Sequence, residues 1–209
     1  MKSIFGKKLG MTRLFDESGR QTPVTAIEVG PCVVVQTDRA PRKGAATIQI
    51  GYGTQKPQRL SKAVVGHYAK AGVEPCRMLR EVAVEDGEEV KVGDTITASI
   101  FEETKYVDII GVTKGRGFQG VVKRHGMSGG PKTHGSHMHR EVGSIGQCTR
   151  PSRVFKNKKM PGQMGNTRTT MQNLQLVKVL ADENVILVKG AVPGPTGAIV
   201  EVRKALKKS

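Results

Sequence analysis

Residues 111–168 read GVTKGRGFQGVVKRHGMSGGPKTHGSHMHREVGSIGQCTRPSRVFKNKKMPGQMGNTR. They hold twelve Lys or Arg and one acid, Glu141, a net of +11 in 58 residues. The same stretch has thirteen apolar side chains and twelve glycines. Fixing a backbone costs about 1–2 kcal/mol per residue, whereas burying one apolar side chain fully returns about 1.5–3 kcal/mol. Thirteen such side chains cannot order this stretch unaided. The reading is a long, irregular basic extension that is mobile alone and is ordered by a polyanion.

On either side the pattern changes. The remaining 151 residues carry 22 basic and 17 acidic groups and divide into short apolar runs with turn signals between them. Strand-like runs cover Phe5–Phe15 (broken at Gly6 and Gly10), Pro23–Val29, Cys32–Val35, Ala45–Tyr52, Met78–Val84, Thr95–Phe101 and Tyr106–Val112. Beyond the basic stretch, Thr169–Leu180 and Val185–Lys189 flank Ala-Asp-Glu-Asn as a hairpin, and Ile199–Arg203 follows a Pro-Gly turn. One helix is expected over 61–72, with Ser61 as N-cap, Val64, Val65 and Tyr68 on one face and Gly72 as its stop. Many short strands with little helix predict a mainly β (α+β) fold. The expected body is a small β-barrel over 1–110 and 169–209 with a short helical insert, and 111–168 is inserted between two of its strands.

The whole chain of 209 residues carries +16 with its histidines neutral, far more than solubility requires, and this points to a polyanionic partner. No apolar run approaches the roughly 18 residues of a membrane span, and Lys7 and Lys8 interrupt any signal-peptide core. Cys32, Cys76 and Cys148 are odd in number and far apart, which fits a reducing cytoplasm better than a disulfide framework.

Two motifs invite enzymatic readings. Gly115-Arg116-Gly117-Phe118-Gln119-Gly120 matches GxGxxG, but the residues leading to Glu141 are no parallel core strand, as a dinucleotide site would require. Its glycines are better read as allowing close backbone approach to phosphates. His134, His137 and His139 form HxxHxH and with Cys148 could be arranged around zinc, yet only one acid stands nearby to orient them. Contacts from these histidines to a polyanion are the better reading. No catalytic residue, metal or cofactor is therefore expected. A DNA-binding architectural protein would share the charge, but the chain has no recognition helix, minor-groove wedge or dimer heptad.

The strings GKKLGMTRLF (6–15), GHYAKAGVEP (66–75), TKGRGFQGVVKR (113–124), GSIGQ (143–147), RVFKNKKMPGQMGN (153–166) and NVILVKGAVPGPTG (184–197) resemble, in order, the bacterial large-subunit ribosomal protein L3 family. The resemblance implies a cytoplasmic structural constituent of the large ribosomal subunit. Its body would hold a barrel like that of translation elongation factors, and its basic extension would bind 23S rRNA, help start subunit assembly and run toward the peptidyl-transferase centre. Gln147, Cys148, Thr149 and Arg150 would form the tip of the extension. Expected rRNA-binding residues are Lys114, Arg116, Lys123, Arg124, Lys132, His134, His137, His139, Arg140, Arg150, Arg153, Lys156, Lys158, Lys159 and Arg168. Partners would be 23S rRNA and neighbouring large-subunit proteins, with no membrane, small-molecule substrate or homo-oligomer. The chain departs from the pattern in two places. His125-Gly126-Met127 replaces a Trp-Asn-Phe common in relatives, and Thr149 stands where some carry a methylated glutamine, so that modification is not expected.

Overall fold

The computed structural model describes residues 3–39, 46–84 and 90–208. Its strands in chain order begin with β1 (Ser3–Phe15), β2 (Gln21–Val29), β3 (Cys32–Arg39), β4 (Thr47–Thr54), β5 (Cys76–Ala83) and β6 (Thr95–Ile96). They continue with β7 (Tyr106–Val112), β8 (Gly117–Gln119), β9 (Gly162–Met164), β10 (Arg168–Leu180), β11 (Val185–Lys189) and β12 (Ile199–Lys204). Among the described residues two α-helices accompany them, α1 (Lys62–Ala71) and α2 (Val121–His125). The chain is mainly β and divides into two units, Met1–Val112 with Arg168–Ser209, and Thr113–Thr167.

In the first unit six strands close an antiparallel barrel in the order β1-β12-β7-β10-β11-β2. Gly6 and Gly10 do not break β1. The strand runs through both, with a register shift between Lys8 and Gly10. Gly6 is needed because a Cβ there would stand 2.5 Å from the Glu28 carbonyl oxygen of the paired strand.

A single barrel does not account for the rest of this unit. β3 to β6 form a separate four-stranded sheet in the order β5-β4-β3-β6. The expected strand Thr95–Phe101 is also corrected: only Thr95 and Ile96 pair, and Ala98–Phe101 forms a 3-10 turn that buries Ala98 and Phe101 on one side. The start of the run at Ala45, and residues 40–44 before it, lie outside the described residues. Helix α1 begins after Ser61, whose side chain makes no cap bond, and ends at Gly72 in the left-handed conformation (φ 66°). Of its apolar face Tyr68 is buried, and its hydroxyl donates to the Cys76 carbonyl at 3.2 Å.

One apolar core joins barrel and sheet, with Ile4, Phe5, Ile27, Val34, Ile50, Phe101, Ile109, Ile186 and Val202 among its members. Asp108 and Lys8 are buried and hydrogen-bonded, as burial demands, whereas Gln36 Oε1 and Arg203 Nε are buried with no partner among the described residues. Asp108 accepts from the Asn173 backbone N–H at 2.9 Å and from the Arg203 guanidinium at 3.2 Å. Lys8 Nζ donates to the carbonyls of Val192 (2.8 Å) and Gly194 (3.1 Å).

Candidate nucleic-acid interface

The second unit leaves β7 after Val112 and rejoins the barrel at Arg168, two residues that are register partners in the β7–β10 pair. Its root is a narrow two-chain ribbon. Thr113 N–H donates to the Thr167 carbonyl (3.0 Å), Asn166 N–H to the Thr113 carbonyl (3.2 Å), and Arg116 N–H to the Met164 carbonyl (2.9 Å). β8 and β9 then pair antiparallel through Gly117↔Met164, Phe118↔Gln163 and Gln119↔Gly162. Gly165 (φ 71°) allows this approach, since a Cβ there would meet the Lys114 carbonyl.

The short helix α2 follows, stopped by Gly126 in the left-handed conformation. Arg124 and His125 converge on one acceptor, the Met160 carbonyl, at 2.7 and 3.1 Å. The Arg124 guanidinium lies over Gly162, where a side chain would collide with it at 2.8 Å. The extension is therefore not irregular throughout, as composition suggests: its root is a ribbon and a helical turn. Between residues 127 and 160 no strand or helix forms. There Gly130 N–H donates to the His139 carbonyl (3.1 Å), and the His139 ring bonds the Pro131 carbonyl (2.8 Å).

Packing explains why nothing more regular arises. Val121 is the one buried residue of this unit, whereas Phe118, Met138, Ile145, Val154 and Phe155 are all exposed. Lys114, Arg116, Lys123, Lys132, His134, His137, Arg140, Arg150, Arg153, Lys156, Lys158 and Lys159 are exposed as well. Among the described residues none of these Lys or Arg is paired with a carboxylate. Arg153 instead lies over the Phe155 ring at 5.6 Å.

Three expected contact residues stand apart from that set. Arg124 and the Nδ1 of His139 are spent on internal carbonyls. Arg168 belongs to β10 and pairs with Glu201 at 3.6 Å. Sequence reasoning missed the partner atoms, above all the Met160 carbonyl and the Thr113–Thr167 clasp. Only Gly165-Asn166, a turn-forming pair, hinted at them.

Of the expected tip residues, Gln147 and Cys148 lie with Ser144, Ile145, Gly146, Ser152, Arg153 and Val154 around an open cleft of about 420 Å³. Thr149 and Arg150, expected with them, are exposed beside it. The Thr149 hydroxyl bonds the Cys148 sulfur at 3.6 Å and, with the Thr149 backbone, holds that exposed thiol below its ordinary range. Among the described residues no three His, Cys, Asp or Glu side chains gather as a metal-binding group. The GxGxxG stretch makes no dinucleotide unit either: β8 pairs antiparallel with β9, and α2 spans five residues.

A closed barrel interrupted by a nearly coreless stretch of exposed cations, none paired with a carboxylate among the described residues, has the charge pattern that attracts polyanions. Comparison with known proteins narrows it. The family model described as ribosomal protein L3 matches residues 81–184, which include the entire arm. The chain is also 49% identical over 208 residues to the large ribosomal subunit protein uL3 of Corynebacterium jeikeium (strain K411), covering 99% of this chain and 95% of that protein. The chain belongs to the ribosomal protein L3 family.

Proposed function

We propose that this protein is a structural constituent of the large ribosomal subunit whose arm binds 23S rRNA, contributes to early subunit assembly and reaches toward the peptidyl-transferase centre with Gln147 to Arg150 at its tip. Members of the family are ribosomal proteins acting in translation, and the bacterial large subunit lies in the cytoplasm. The observation that carries the reading is the arm itself, with one buried residue and exposed cations that pair with no described carboxylate. Held near one another without anions, those charges repel; RNA phosphates relieve the repulsion, and release of condensed counterions drives association. Specificity then follows the shape of the folded RNA rather than a base code. The body holds the root of the arm through a barrel of the kind found in elongation factors and meets neighbouring large-subunit proteins.

Sedimentation of tagged protein through a high-salt gradient tests the reading. The protein should travel with large subunits, and recovery at the top of the gradient would overturn it. A second measurement addresses the arm directly. Free protein should be nicked by protease between 127 and 160, and large-subunit rRNA should suppress those cuts.

A further inference from the structure

A second concentration of unpaired positive charge lies in the first unit, apart from every residue assigned above. The pair Thr54↔Cys76 ends the β4–β5 register, and Gln55 N–H donates to the Pro75 carbonyl at 3.0 Å, which fixes the two chain segments side by side. Arg77 therefore stands next to Gly53, where even an added Cβ would lie 3.7 Å from the Arg77 Cβ. Directly after β4 the chain makes a 3-10 turn over Pro57–Arg59, fixed by Arg59 N–H to the Lys56 carbonyl and Leu60 N–H to the Pro57 carbonyl, both 3.0 Å. Thr54, Gln55, Lys56, Arg59 and Arg77 together line one concavity of about 690 Å³.

Among the described residues no carboxylate lines that concavity. Lys56, Arg59 and Arg77 are exposed, and among the described residues none of them forms an ion pair. Three cations on a hydrogen-bonded framework repel one another unless an anion sits between them. Two guanidinium groups with an ammonium, a hydroxyl and an amide are donors suited to phosphate oxygens. Unlike the arm, this surface is preformed, since β-pairing and the turn fix the backbones that carry it, so little ordering cost accompanies binding.

We infer that this cleft is a phosphate-binding site on the body that takes backbone phosphates of RNA. The inference rests on the rRNA-binding reading of the protein. Two linked sites on one RNA would make the second contact intramolecular, so the body engages first and raises the local concentration of the arm at its target.

The test compares full-length wild type, a cleft variant (Arg59→Gln with Arg77→Gln) and an arm variant (Arg116→Gln with Arg153→Gln) for binding to large-subunit rRNA across a salt series. Each lost phosphate contact lowers the slope of log K against log salt by roughly 0.7–0.9. The cleft variant should therefore lose about 1.5 from the slope. Its thermal midpoint should match wild type because both side chains are exposed. An unchanged slope in the cleft variant beside a reduced slope in the arm variant overturns this inference alone. Unchanged slopes in both overturn the rRNA reading itself. Titration with inorganic phosphate separates the two sources of the same group: saturation below millimolar, with the rRNA slope untouched in the cleft variant, would make the ligand a small free anion and would also overturn the inference.

Discussion

At Cys32 the barrel and the second sheet share one core, and the thiol is 0% exposed with its sulfur 3.7 Å from the Phe5 carbonyl oxygen. Desolvation pushes its pKa from 9.0 up to about 12, and burial does the same to the Tyr52 phenol, from 10.0 to about 12. The unfolded chain gives up these protons first, so the folded state binds more protons across that window. Their contribution to stability is therefore complete below pH 9 and is lost as pH rises from 9 (Cys32) and 10 (Tyr52) toward 12, by about 1.4 kcal/mol per pH unit for each proton retained. Urea midpoints measured from pH 8 to 11 should fall above pH 9, and Cys32→Ala should flatten that fall; a flat wild-type profile would contradict this. Arg124 carries the opposite lesson about charge. Counted from sequence it is one more cation for RNA, yet it donates to the Met160 carbonyl. Arg124→Gln, which keeps an amide donor, should leave the salt slope of rRNA binding unchanged, whereas Arg116→Gln should lower it by about one. Residue type revealed the arm's charge, but which cations are committed internally depends on carbonyls 36 residues away in the chain.

Elements differ in how visibly they are written. β2, β7, β11 and β12 alternate or run apolar and end at turn residues, so local pattern suffices to find them. The pattern does not say which strand pairs with which, and for that reason the sheet β5-β4-β3-β6 was invisible as a separate layer. The 3-10 turn over Ala98–Phe101 could have been read, because its two buried residues are three apart, the period of that helix. The ribbon β8–β9 could not: Phe118 is 76% exposed, and three-residue strands rich in glycine show no alternation. What holds the ribbon is backbone contact, and Gly165 is its tightest point. Gly165→Ala places a Cβ against the Lys114 carbonyl at a positive φ. It should open the root, giving new protease cuts near Lys114 while the melting midpoint of the body stays unchanged. An uncut root in that variant would show that the ribbon tolerates the methyl group.

Across the whole molecule, the apolar core belongs to the first unit, and residues 113–167 add one buried side chain. Val112 and Arg168 are cross-strand partners, so residues 113–167 occupy the position of a hairpin loop. Replacing them with a two-residue Asn-Gly turn should leave the barrel folded, with its melting midpoint within a few degrees of wild type, because the arm contributes one buried side chain. The same variant should lose most of its affinity for large-subunit rRNA, and retention of that affinity would move the principal site to the body. The order of the barrel has one more effect, on timing. β12, the last strand in chain order, lies between β1 and β7. During synthesis β1 must therefore wait for β12, which is made after residues 113–167, before its second neighbour exists. By then the cationic loop has already been made, so on the proposed rRNA-binding function it can meet RNA while the cylinder is still unsealed.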